Sequence, residues 1–454
     1  MIADLKPYPE YKESGLPWLG QVPTHWEVLR IKSAIRNIIE QTSEMKVDEV
    51  YLALEHVESW TGKARPKFDS SLFIGQVKRF RKSDVLFGKL RPYLAKVTSI
   101  QRDGVCSGEF MVLRPSNASV ISKYLENFMR AKPIIDVING STFGAKMPRA
   151  DWQFCGNLRF LIPPPEEQEA IVRFLDWATG RLDRAIRAKR KIIALLNEKK
   201  QVIIQRAVTR GLDPNVPLKP SGIPWLGDIP AHWSLTPNRA FLRIRKVLVG
   251  ARHGDYKLLS LTKRGVLIRD MTIGGKFSSF WERSQEVRPG DLVFCLFDVE
   301  ETPRTVGLSK HLGMISGDYT VFECSDSLTA SFVESFYIAM DDRKLLSPLY
   351  SGLRKRIQKP EFLAVSTPLP PSDEMVAIAK FLEDSLKTIQ CLIDNMSHEV
   401  NLLFEYRTRL IADVVTGKLD VREAVAKLPN EVIGEVVDEL AEEEPETDDP
   451  EVET

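Results

Sequence analysis

Two stretches of the chain carry apolar residues at threes and fours. In the first, Ile171, Leu175, Ala178, Leu182, Ile186, Ile193, Leu196 and Ile203 fall on one stripe. In the second, Ile378, Leu382, Ile389, Ile393, Met396, Val400, Leu403 and Leu410 do the same. Such a stripe is the face of a helix that buries itself against a partner helix. The pattern predicts long helices over residues 166–209 and 373–416, each a rod of roughly 65 Å at 1.5 Å per residue. Pro163-Pro164 and Pro370-Pro371 stop what comes before, and Pro165 or Ser372 followed by acidic residues suits the positive end of a helix dipole. Elsewhere the apolar runs are short. Residues 84–87, 110–113, 291–294 and 319–322 predict strands, and 120–131 and 331–340 predict helices. The mixture argues for an α+β fold.

The chain contains itself twice. Lys12-Glu-Ser-Gly-Leu-Pro-Trp-Leu-Gly-Gln-Val-Pro-Thr-His-Trp26 recurs as Lys219-Pro-Ser-Gly-Ile-Pro-Trp-Leu-Gly-Asp-Ile-Pro-Ala-His-Trp233, an offset of 207 residues. The same offset maps Pro163-Pro164 onto Pro370-Pro371, Phe174-Leu175 onto Phe381-Leu382, Val208-Thr209 onto Val415-Thr416, and Asp84 onto Asp291. One offset across so many separate matches is a duplication. It predicts a lead-in segment over 1–26, a mixed domain over 27–162 and a spacer helix over 163–212. A linker with the repeated lead-in follows over 213–233, then a second mixed domain over 234–369 and a second spacer helix over 370–427. The last segment, 428–454, is expected to be a disordered acidic tail.

Charge changes the picture once that tail is set aside. The whole chain has a formal net charge of +1, but residues 431–453 hold twelve acidic and no basic side chains, so the remainder carries +13. A body that basic suits a polyanionic partner, although charge alone also serves solubility. The helical segments differ in sign: 166–209 holds ten basic and six acidic residues, 373–416 four and eight. Opposite signs fit pairing of the two helices with each other. No run of eighteen apolar residues exists, and the first residues contain no apolar signal core, which makes the cytoplasm the expected location. Cys106, Cys155, Cys295, Cys324 and Cys391 are scattered, without a C-x-x-C pair, so free thiols are expected.

Catalytic motifs are missing. The prolines at 163–165 and 370–371 lack the flanking residues of an amino-methyltransferase motif, and Gly274-Gly-Lys-Phe277 lacks the first glycine and the hydroxyl of a phosphate loop. Glu198-Lys199-Lys200 ends like a nuclease motif but falls within a long exposed helix, where surface charge is the better reading. His25 and His232 occupy equivalent places with no ligand partner nearby in sequence, so packed, hydrogen-bonded structural histidines are expected. Trp18 and Trp225 are expected to anchor the lead-in segments on the helices.

Basic and aromatic residues interleave in the mixed domains. One cluster is Lys78, Arg79, Arg81 and Lys82 with Lys89, Arg91, Tyr93 and Lys96. A second is the loop with Ser141, Thr142, Lys146 and Arg149, matched in the second copy by Ser351, Arg354, Lys355 and Arg356. Arginine can grip guanine edges with two hydrogen bonds, and lysine can neutralise phosphates. Any one such loop is more often plain surface; the near-matching positions in both copies make DNA contact an equal alternative.

At these residues a resemblance becomes specific. S-G-x-P-W-L-G-x-x-P-x-H-W at 14–26 and 221–233 resembles the segment before each target-recognition domain of Type I restriction-modification specificity subunits. Pro163-Pro-Pro-Glu-Glu-Gln168 with Ile171 and Phe174-Leu175 resembles the helix start after each such domain, and Lys199-Lys200, Ile204 and Val208–Leu212 its end. Gly88-Lys-Leu-Arg-Pro-Tyr93 resembles a strand-end motif of the domain itself. The resemblance spans about residues 8–425. The second copy departs from it: Cys295-Leu-Phe-Asp298 stands where the first has Gly-Lys-Leu-Arg, and Met375 replaces the helix-start glutamine, a change expected to alter capping alone.

The resemblance implies two pseudo-symmetric mixed α/β target-recognition domains separated by two long antiparallel helices in a coiled coil. It implies a non-catalytic subunit that reads an asymmetric, two-part target in double-stranded DNA. Partners would be two modification (methyltransferase) subunits and restriction subunits, and these would carry S-adenosylmethionine, ATP and magnesium; no cofactor and no membrane are expected for this chain. The competing readings are a single-chain nuclease or methyltransferase with recognition modules, and a coiled-coil scaffold that does not bind DNA.

Overall fold

The computed structural model describes residues 5–16, 18–68, 75–142, 147–269, 283–350 and 355–429. The chain forms two compact units, one made of Met1–Ala188 with Glu399–Thr454, the other of Lys189–His398.

In the first unit, β1 (Ile35–Ile38), β2 (Val85–Gly88), β3 (Val97–Ser99) and β4 (Phe110–Pro115) form an antiparallel sheet in the order β1-β4-β2-β3. Side chains alternate across a strand, and here both faces are covered. Val85, Phe87, Met111 and Leu113 face the larger core with α1 (Ser122–Arg130) and α2 (Lys132–Gly140). Leu86, Phe110 and Val112 face a second core with Val50, Leu52, Phe80 and Cys106. Double burial explains why 85–88 reads as a continuous apolar run. The domain's outer strands pair with each other, Glu27 opposite Ile162.

The second unit repeats this plan. Strands β5 (Leu242–Ile244), β6 (Leu292–Phe294), β7 (Val306–Leu308) and β8 (Thr320–Cys324) run in the order β5-β8-β6-β7. Leu292, Phe294 and Phe322 face α3 (Ser327–Asp342), while Val293 and Val321 face a smaller core. The carboxylate of Asp326 starts α3 by accepting from the Thr329 amide at 2.8 Å. Ser234 pairs with Leu369, each 207 residues beyond its counterpart in the first unit.

The long helices run over Pro165–Arg210 and Ser372–Val415, each with two acidic residues in its first turn. In the first unit, Ile171, Phe174, Leu175 and Ala178 share a core with Leu410, Ile411, Val414 and Val415. In the second, Ile204, Ala207 and Val208 share one with Met375, Ile378 and Leu382. The start of one helix thus meets the end of the other, an antiparallel pairing in both units. The stripe holds one surprise: Arg407 occupies a buried position on it, beside Asp183 at 3.3 Å and donating to the Trp60 carbonyl at 3.1 Å. That ion pair puts the base on the second helix and the acid on the first, opposite to their net charges.

The lead-in segments are hairpins, Tyr11–Glu13 with Gln21–Pro23 and Leu218–Pro220 with Asp228–Pro230. Gly15, Gly20, Gly222 and Gly227 all take φ between +71° and +74°, which is why glycine stands at those places in the motif. Trp26 and Trp233 are the fully buried anchors. Trp18 and Trp225, the tryptophans expected in that role, are half-buried at the rim of the cores. Glu167 accepts from the Trp26 indole and Glu374 from the Trp233 indole, partners that residue type alone does not reveal.

Candidate nucleic-acid interface

β1 and β2 both run antiparallel to β4, so they finish at the same end of the sheet. Just past β2, Arg91 takes φ 49°. That left-handed conformation costs a non-glycine residue about 1–2 kcal/mol and is retained only where the surroundings enforce it. Here a clasp does so: the Arg91 amide donates to the Pro148 carbonyl at 2.9 Å, and the Ala150 amide to the Lys89 carbonyl at 2.9 Å. Leu90 thereby pairs with Arg149, which brings Arg149 beside Lys89 and Arg91.

The second unit builds the same clasp. Asp298 takes φ 44°, its amide donates to the Lys355 carbonyl at 2.8 Å, and the Ile357 amide donates to the Leu296 carbonyl at 2.7 Å. Phe297 pairs with Arg356. Every residue of this clasp lies 207 positions after its counterpart. The backbone is shared, and the exposed side chain at its tip is arginine in one copy and aspartate in the other.

The expected contact residues divide into groups. Lys78 donates to the Phe110 carbonyl at 2.7 Å, and burial, with Lys89 nearby, pushes its ammonium below the usual lysine range. Arg79 is held by Glu49, Thr42 and the Glu44 carbonyl, and Lys96 donates to the Leu54 carbonyl at 2.9 Å. Ser141 and Thr142 cap the end of α2 through the Ile138 and Asn139 carbonyls. These groups point their polar ends into the protein. Arg81, Lys82 and Arg91 are exposed, Lys89 is half-buried, and Tyr93 is 43% exposed. Arg149 is exposed but paired with Glu109 at 2.9 Å, and Lys355 with Glu301 at 2.7 Å. Arg356 is exposed. Lys146, Ser351 and Arg354 lie outside the described residues.

Two cations at this end of the second sheet escaped the motif search. Lys246 follows β5, which finishes beside β6 on the far side of β8. Lys359 begins α4 (Lys359–Ala364), three residues after Arg356. Burial, then Arg356, then Lys246 push the Lys359 ammonium below its usual range. Comparing strand ends at the 207 offset would have drawn attention to Lys246, since its counterpart is Ile39.

At the starts of β2 and β6, Asp84 and Asp291 do the same work with different partners. Asp84 accepts the Arg81 amide and two bonds from Arg114 on β4; Asp291 accepts the Arg288 amide and two bonds from Arg245. The duplicated aspartate kept its place while the arginine moved to a neighbouring strand.

The histidines are structural. Glu167 accepts from Tyr8 at 2.5 Å and Trp26 at 2.9 Å, with His25 at 2.8 Å. Burial and this carboxylate push the Tyr8 hydroxyl above its ordinary range. Glu374 binds His232 at 2.7 Å and accepts from Trp233 at 3.0 Å. Both glutamates lie 142 residues after their histidine and 207 apart, a spacing the duplication alone could have exposed. Gln168 is no helix cap: it accepts the Ile121 amide and donates to the Ser119 and Pro163 carbonyls, while Met375 at its place is buried in the apolar core. That exchange swaps a loop tether for core packing, where altered capping alone was expected.

Cys106, Cys155 and Cys295 are buried free thiols, and burial pushes the first two up to about 12. Among the described residues, no cluster of His, Cys, Asp or Glu could hold a metal ion, and no helix is long and apolar enough to cross a membrane.

The chain is similar to the Type I restriction enzyme MjaVIII specificity subunit of Methanocaldococcus jannaschii. The two are 24% identical over 443 residues, covering 91% of this chain and 97% of that one. Similarity to the Type I restriction enzyme EcoDI specificity subunit of Escherichia coli is 25% over 202 residues, 44% of each chain. Among solved structures, a chain from work on complex assembly and conformational transition of the type I R-M system shares the fold. Its TM-score is 0.63 at 16% identity, covering 88% of this chain and 99% of that one. No protein-family model matches the chain. In sequence and fold, the chain resembles Type I restriction-modification specificity subunits.

Proposed function

We propose that this chain is the DNA-specificity subunit of a Type I restriction-modification complex, a non-catalytic reader of an asymmetric two-part target. Each unit reads one half-site in the major groove with its clasped sheet end. In the first unit Lys89, Arg91 and Tyr93 meet the DNA; in the second, Arg356 does. The long helices act as spacers between the half-sites. The helices and the lead-in hairpins receive two modification subunits, which bring S-adenosylmethionine and the methyl-transfer site. Restriction subunits add the ATP-dependent steps. Adenine methylation within a duplex requires the partner to flip the base out, at a place this chain selects.

The observation that supports this reading most is the clasp built twice with unlike tips. A strained, enforced turn that carries Arg91 in one copy and Asp298 in the other is a common scaffold with a changed message. Arginine suits the acceptor edge of guanine, and aspartate suits an amino donor such as that of cytosine. The two half-sites therefore differ.

Mapping methylated adenines in the host genome tests the function directly. With the gene present, methylation marks one motif of two unlike halves around a fixed gap; deletion of the gene abolishes it. A methylation map that deletion leaves unchanged overturns the proposal, as does methyl transfer by the purified chain alone.

A further inference from the structure

We propose that the second unit holds the DNA backbone through Lys246, Arg356 and Lys359, a phosphodiester-binding site beside its strand-end turn. The inference rests on the reading of the chain as a DNA-specificity subunit and names the residues and the chemical group involved.

The turn of the second unit cannot itself attract phosphate. Asp298 stands at its tip where the first unit has Arg91. Glu300 and Glu301 follow, and Lys355, the cation nearest to them, lies 3.7 Å from one and 2.7 Å from the other. Three carboxylates against one ammonium leave this turn negative. A polyanion nearing it meets repulsion unless positive charge stands close by.

The sheet supplies that charge at the same end. β5 and β6 both run antiparallel to β8, so Lys246, just past β5, and Phe297, just past β6, emerge on the same side. The bridge from Phe297 to Arg356 adds the arginine, and Lys359 follows three residues later at the start of α4. Lys246 and Arg356 are exposed and Lys359 is half-buried. None of the three forms an ion pair among the described residues. Like charges gathered at one place repel one another, and burial, with Arg356 and Lys246 nearby, pushes the Lys359 ammonium below its usual range. Such a grouping is stabilised when an anion enters.

The first unit has no such site. At the positions 207 residues earlier stand Ile39, Arg149 and Trp152. Ile39 is 73% exposed, and Arg149 is already paired with Glu109. The two units thus carry their cations at different places on a common sheet end: on the turn in one, on the neighbouring strand and helix in the other.

Phosphate contacts can be counted, because each one releases bound counter-ions. The slope of log affinity against log salt changes by about 0.9 per phosphate neutralised on duplex DNA. The experiment uses the full chain, purified together with its modification subunits, and two fluorescent duplexes, one carrying the mapped target and one of random sequence. Lys246→Gln, Arg356→Gln and Lys359→Gln are expected to lower the slope by about 0.9 each. The triple variant is expected to lose at least tenfold in affinity for both duplexes at low salt. Lys355→Gln, at a lysine already neutralised by glutamate, leaves the slope unchanged. Thermal melting checks that these surface changes keep the fold. Wild-type slopes in the triple variant overturn this inference and leave the proposed function standing. A loss confined to the target duplex also overturns it, because it would make the three residues base readers. Wild-type complex with no salt-dependent affinity for either duplex overturns the inference and the function together.

Discussion

Glu167 shows how much one side chain can hold. It is 5% exposed, and its two oxygens take the Tyr8 hydroxyl, the Trp26 indole and the His25 ring. Removing it strands two buried donors, at about 1–3 kcal/mol each. Glu374 does a smaller version of the job: its side chain is 23% exposed and binds Trp233 and His232, with asparagine standing where the first copy has Tyr8. Glu167→Ala is therefore expected to destabilise its unit by about 2–5 kcal/mol, and Glu374→Ala by about 1–2 kcal/mol, read from denaturant unfolding of each variant. Equal losses would mean that the tyrosine bond contributes nothing. At the same scale, the charged residues of the sheet end had to be sorted one by one. Lys78, Arg79 and Lys96 look like DNA contacts by composition, but each is tied to the protein, by the Phe110 carbonyl, the Glu49 carboxylate and the Leu54 carbonyl. Sequence shows that a cation is present, and only its distant neighbours decide whether the charge is free.

The long helices complete units that the order of the chain would divide differently. Leu410, Ile411, Val414 and Val415 belong to the core of the first unit, with Trp26 and Ile171. Gly417 presses against Pro23 and Trp26 so closely that a Cβ would lie 2.4 Å from the proline ring. The first sequence copy, residues 1–212, thus lacks part of its own core. Each buried Leu or Ile that is missing removes about 2–5 kcal/mol, comparable to the total stability of a domain when several are lost. Fragment 1–212 is expected to be unfolded or molten by near-UV circular dichroism, and a peptide of residues 399–429 added in trans is expected to restore cooperative melting. A fragment that melts cooperatively without the peptide would show that the closing helix adds little. The apolar stripes predicted both helices to within a residue of their observed ends, because periodicity and the proline stops are local signals. Arg407 was not legible: a buried arginine on an apolar stripe is tolerated only because Asp183 and the Trp60 carbonyl meet it from far along the chain.

For the whole molecule, the proposed spacer role of the helices makes a quantitative prediction. Four residues inserted into each long helix add about 6 Å of rise, or one to two base pairs at roughly 3.4 Å per base pair. Methylation mapping of such a variant is expected to return the same half-sites with a gap one or two base pairs longer; an unchanged gap would defeat the spacer role. The duplication, the two long helices, the central strands and the absence of catalytic motifs were all determined by the amino-acid sequence, because repeats, hydrophobic periods and turn residues act over a few positions. Tertiary structure alone decided that the second long helix closes the first unit, that Glu167 and Glu374 tie the histidines, and that Lys246, Arg356 and Lys359 gather with no ion pair among the described residues. Those outcomes depend on which side chains meet across a hundred residues or more, and burial or pairing there reverses what a charge can do.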